Sequence, residues 1–100
     1  MKLAFAACLL LLLSTPLFSQ GAKPKEGYVP DSRTAVKIAK AALIPVFSEN
    51  LIQSERPFTA KLENGVWIVA GTLPAGFNGG VAKVKISKAD AQIVAMWREQ

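Results

Sequence analysis

Asn64-Gly65 stands between two runs of strand-forming residues, Phe58 to Glu63 and Val66 to Thr72, and it restricts the fold of this 100-residue chain more tightly than any other feature. An Asn-Gly pair flanked this way predicts a two-residue hairpin loop, because both turn residues must take positive φ. A loop of that length sets the register. Leu62 is expected opposite Trp67, Ala60 opposite Val69, and Phe58 opposite Gly71. All six fall on one face, which is assigned to the core. The Phe58 ring is expected to cover the gap left by Gly71. Ile68 shares the other face with Lys61.

The flanking segments build outward from this hairpin. Val81 to Ser87 alternates, with Ala82, Val84 and Ile86 pointing one way and Lys83 and Lys85 the other. Lys88 to Ala91 reads as a turn. Gln92 to Arg98 reads as a fourth strand with Ile93, Ala95 and Trp97 facing in. Before the hairpin, Ser32 to Phe47 is the one strong helix. Its apolar stripe is Ala35, Val36, Ala39, Ala42, Leu43, Val46 and Phe47, and Arg33, Lys37 and Lys40 lie opposite. Asp31 is placed to cap it, since its carboxylate can accept from the open N–H groups of the first turn. Pro45 predicts a kink or an ending, with Leu51-Ile52 adding a short turn. One N-terminal helix packed on a four-stranded antiparallel sheet is an α+β domain.

The start of the chain has a different character. Lys2 precedes an uncharged apolar run, Leu3 to Leu13, which Ser14-Thr15-Pro16 breaks. That order predicts a secretory signal peptide. The run is short of the roughly 20 residues that span a bilayer. The expected division is residues 1–20 as signal peptide, 21–30 as linker and 31–100 as the folded domain. Cleavage after Ser19, Gln20, Gly21 or Ala22 fits equally, and membrane contact enters only through this segment if it stays uncleaved. Cys8 lies inside the apolar run, where a lipidated cysteine would stand at its far end. The processed chain then holds no cysteine, hence no disulfide, thiol nucleophile or thiolate metal site. About 78 residues without disulfides is near the lower limit for a self-sufficient core.

The chemistry open to such a chain is narrow. It has no histidine, the commonest general base near neutral pH and the commonest metal ligand. Its seven acids, Glu26, Asp31, Glu49, Glu55, Glu63, Asp90 and Glu99, fall in the linker, caps, turns and terminus, and none alternates onto the predicted core face. No catalytic residue, metal or small-molecule cofactor is therefore expected. From Lys23 on, eleven Lys or Arg face seven Asp or Glu, a net charge of +4. These bases are scattered, apart from a stripe at Lys83, Lys85 and Lys88, so a nucleic-acid partner is not expected. An acidic protein partner suits the balance better. Gly71 and Gly76 have the spacing of half a phosphate loop, but Phe77-Asn78 occupies the place of the required Lys-Ser or Lys-Thr, and a strand follows where a helix is needed. Gly79-Gly80 predicts a bulge or a close backbone approach at the strand start. Phe77 either plugs the end of the core or anchors a partner. The candidate partner-binding residues are Gly76, Phe77 and Asn78 in the loop, with Lys83 and Lys85 on the sheet.

In order along the chain stand Val29-Pro30-Asp31, Thr34-Ala35, Ile38-Ala39, Leu43-Ile44-Pro45 and Arg56-Pro57-Phe58. Val66-Trp67-Ile68-Val69, Gly71-Thr72-Leu73-Pro74, Gly79-Gly80-Val81 and Ile86-Ser87-Lys88 complete the series. The series resembles a bacterial family of immunity proteins with a nuclear-transport-factor-two-like (cystatin-like) fold, found beside polymorphic toxins and Rhs elements. The resemblance runs from about Tyr28 to Trp97. It departs at the last hairpin, where the family pattern has Asp-Gly and this chain has Asp90-Ala91. The resemblance implies a non-catalytic domain that binds a protein partner, a cognate toxin, and neutralises it. With the signal segment, the protein is expected to be secreted across the inner membrane and to meet that toxin in the periplasm. The alternative is a periplasmic interaction or inhibitor module of the envelope, unrelated to toxin immunity.

Overall fold

The Asn-Gly loop does what its residues require. In the computed structural model, which describes residues 24–99, Asn64 and Gly65 take φ of 50° and 76°. The hairpin pairs Leu62 with Trp67 and Ala60 with Val69 as expected. The elements in order are α1 (Ser32–Phe47), α2 (Glu49–Ser54), β1 (Thr59–Glu63), β2 (Val66–Ala70), β3 (Ala82–Ser87) and β4 (Ile93–Arg98). The strands form one antiparallel sheet in the order β1-β2-β3-β4. The signal segment expected over residues 1–20 lies outside the described residues.

The helical layer covers one face of the sheet. Asp31 caps α1, its Oδ1 accepting from the Thr34 N–H at 2.8 Å. Ala35, Ala39 and Leu43 are fully buried, and Val36, Ile38, Ile44 and Phe47 pack around them. Val46, expected in the stripe, is exposed instead. The chain turns just beyond it, and Ile52 of α2 becomes the next fully buried residue. Pro45 stands inside α1, which runs two residues further before Ser48 ends it. The Ser48 N–H donates to the Ile44 carbonyl at 2.8 Å, and its Oγ accepts from the Leu51 N–H at 3.3 Å. One residue thus closes the first helix and opens the second.

The core face of the sheet holds Trp67 and Val69 of β2 with Ala82, Val84 and Ile86 of β3. Phe58 joins them from just before β1. A Cβ on Gly71 would stand 3.1 Å from the Phe58 ring and 2.8 Å from Glu55 Oε1. The ring covers the glycine as expected, and a carboxylate covers it as well. Leu62, assigned to the core, is exposed. It lies on the edge strand beside the hairpin turn, at an open corner of the sheet.

β4 departs most from its expected packing. Ile93 pairs with Ile86, but Ala95 then pairs with Lys85, Met96 with Val84 and Trp97 with Lys83. Val94 is an extra residue on this strand. A bulge of one residue reverses the alternation beyond it. Ala95 and Trp97 therefore join the lysine face, and Met96 takes the core side.

The stretch read as a linker also proves structured from Pro24 on. The Tyr28 and Val29 N–H groups donate to the Ala89 and Lys88 carbonyls, both at 3.1 Å. Val29 is fully buried, and its carbonyl accepts from the Trp67 indole N–H at 2.8 Å. Lys88 Nζ donates to the Glu26 carbonyl.

Two substitutions test these close fits by chemical denaturation. Gly71→Ala forces a methyl group against Glu55 and Phe58 and is expected to cost about 1–3 kcal/mol. Ala91 holds a φ of 63°, a left-handed conformation that costs a non-glycine residue roughly 1–2 kcal/mol. Ala91→Gly adds freedom to the unfolded chain but removes that strain, so a net gain of up to about 1 kcal/mol is expected.

Candidate partner-binding surface

The connection from β2 to β3 is held at both ends. At its start the Gly71 N–H donates to the Ala82 carbonyl at 3.1 Å, and the Thr72 N–H donates to the Glu55 carbonyl at 2.7 Å. Thr72 Oγ1 donates to the Pro57 carbonyl at 2.7 Å. At its far end Gly80 lies against the Glu99 backbone, so closely that a side chain there would collide. This is the close approach that Gly79-Gly80 predicts.

Between these clamps the chain makes a tight turn. The Phe77 N–H donates to the Pro74 carbonyl at 3.2 Å, and Gly76 has a φ of 81°. A four-residue turn with positive φ at its third position is type II, which favours glycine there. The loop tip stands open: a Cβ on Gly76 would meet nothing within 4 Å. Phe77 follows at 66% exposure. Of its two expected roles, plugging the core is excluded by this position. Asn78 is exposed beside it.

The lysines lie on the sheet face away from the helices. Lys83 Nζ donates to Glu99 Oε1 at 2.8 Å. Because Gly80 touches the Glu99 backbone, the base of the loop and Lys83 meet at one residue. The Lys83 ammonium, then the Trp97 indole N–H, hold the Glu99 carboxyl below its ordinary value. Lys85 stands one row further along, its Nζ 5.9 Å from the centre of the Trp97 ring, within the range of cation–π attraction. Ile68 pairs with both Lys61 and Lys85 and supplies apolar surface between them. Lys61 itself pairs with Glu63 at 3.3 Å. Sequence reasoning missed Trp97 and Glu99 here, since only the bulge in β4 turns Trp97 outward.

One acid contradicts its expected place. Glu55 falls in a turn, as its position predicts, but its side chain points into the core and the residue is 1% exposed. Oε1 accepts from the Ala82 N–H at 2.7 Å, and Oε2 pairs with Arg98 Nε at 3.4 Å. Both oxygens are engaged in holding strand ends. The glycine within the β2 run was the available signal, because a missing side chain implies that something else fills its place. Among the described residues no group of three or more His, Cys, Asp or Glu could hold a metal ion.

A family model described as NTF2 fold immunity protein matches residues 34–100. No curated protein and no solved structure matches the chain.

The Glu99 contacts give a pH signature. Its carboxyl is held below its ordinary value of 4.5, so the stabilisation it contributes is present above that value. It is lost as pH falls through the lowered folded value. An NMR titration of the side-chain carboxyl is expected to show the depressed pKa, and Lys83→Met should move it back up.

Proposed function

Because the chain belongs to the NTF2-fold immunity protein family, we propose that it is a non-catalytic, exported protein that neutralises a toxin by binding it. The family supplies the class of role. The observation that carries the site is Phe77, a large aromatic side chain exposed at the tip of a doubly clamped loop. Such residues make strong interface anchors. Gly76 and Asn78 flank it, and Lys83 and Lys85 extend the surface along the outer sheet face, where an acidic partner surface would be complementary. The apolar run from Leu3 to Leu13 supports action outside the cytoplasm. That same run favours a second reading, an envelope interaction or inhibitor module.

The toxin reading is tested by co-expressing the chain with the toxin encoded beside its gene, routed to the periplasm. Protection of the host and a complex on pull-down are expected; the absence of both would sink the reading. Within that complex, Phe77→Ala is expected to cost about 2 kcal/mol, roughly thirtyfold in affinity, with the melting temperature unchanged. Unchanged affinity would remove Phe77 from the binding surface.

A further inference from the structure

Glu55 puts a charge where apolar residues of similar volume often fold at least as well, because a carboxylate taken out of water is costly until its contacts repay it. Its contacts converge on one segment, the connection from Gly71 to Ala82 that carries Phe77. Oε1 fills the side-chain space of Gly71, 2.8 Å from where a Cβ would stand, and accepts from the Ala82 N–H at 2.7 Å. The Glu55 backbone carbonyl accepts from the Thr72 N–H at 2.7 Å. Oε2 pairs with Arg98 Nε at 3.4 Å, and the next residue, Glu99, sets its backbone against Gly80. Both stems of the loop are thus referred to one residue. The bond within the loop, from the Phe77 N–H to the Pro74 carbonyl, closes the turn without tying it to the sheet.

We propose that Glu55 is the positioning residue of the partner-binding loop. Its carboxylate fixes how the two stems stand to each other, and through them the direction in which Phe77 meets the partner; this role rests on the reading of Phe77 as a binding anchor. The charge is what the task requires. A carboxylate offers acceptors on both oxygens, one to the Ala82 N–H and one to Arg98. An isosteric glutamine offers one acceptor and turns an NH2 donor toward either a backbone N–H or a guanidinium, neither of which can accept. One stem contact is therefore lost whichever way the amide lies. Looseness of about 1 Å in supporting groups is enough to spoil a binding site, so a residue that touches no partner still governs recognition.

The test is Glu55→Gln in the full chain. In the free protein, NMR order parameters of the amides from Thr72 to Gly80 are expected to fall while those of α1 hold. With the toxin encoded beside the gene, affinity is expected to fall about tenfold. The double variant with Phe77→Ala should bind about as weakly as Phe77→Ala alone, roughly thirtyfold below the unaltered chain, because Glu55 acts through Phe77. Ile86→Val, in the core at the opposite end of β3, lowers the melting temperature but should leave loop order and affinity as they are. If Glu55→Gln does not fold, Arg98→Met, at a side chain 33% exposed, frees Oε2 and is read in the same way. Losses that multiply to roughly three-hundredfold in the double variant would overturn the proposal. So would unchanged loop order in Glu55→Gln, or an equal loss of affinity in Ile86→Val. An unaltered chain that forms no complex sinks the toxin reading alone, and loop order in the free protein then decides for or against Glu55.

Discussion

A single buried carboxylate ties the helical layer to three strands. Glu55 closes α2 and is 1% exposed. Its Oε1 accepts from Ala82 where β3 begins, its Oε2 pairs with Arg98 where β4 ends, and its backbone carbonyl accepts from Thr72 just beyond β2. A carboxylate removed from water costs several kcal/mol unless its charge is paired and its lone pairs are engaged. Charge-assisted hydrogen bonds recover much of that. The geometry at this end of the sheet follows from the need to engage Glu55. Gly71 is bare because the carboxylate occupies its side-chain space, and the exposed loop leaves the sheet from that same corner.

The opposite end is held by a different device. The Trp67 indole donates to Val29 across 38 residues of sequence, and the backbone of Tyr28 and Val29 pairs with the Lys88-Ala89 turn. A segment rich in proline and glycine is thereby bound to the last hairpin. In a domain this small, such a strap extends the buried surface without lengthening any strand.

What the sequence made legible was what depends on near neighbours. The span of α1, the hairpin register and the inward set of β3 follow from periodicity and a two-residue loop, and the structure repeats them. The Phe58 ring over Gly71 followed from that register. The remainder depended on distant closure. The phase of β4 required knowing of a bulge, and no glycine or proline marks it. Glu55 reads as a solvated turn acid until β3 and β4 close over it. Val29 reads as linker until Trp67 reaches it. In the candidate site, the open loop tip and the face bearing Lys83 and Lys85 were legible from the glycines and the alternation. Trp97 and Glu99 were not, because they arrive there through the bulged strand.

The double clamp on the loop bears on the thermodynamics of recognition. A long glycine-rich connection would normally lose many backbone conformations on contact, and that loss opposes association. Here Thr72 at one end and Gly80 at the other already fix the stems, and the type II turn fixes the tip. The torsions left to freeze lie chiefly in the exposed stretch Phe77 to Gly79, beyond the turn. Folding has thus already met the part of the entropic cost that belongs to the stems and the turn, before any encounter takes place.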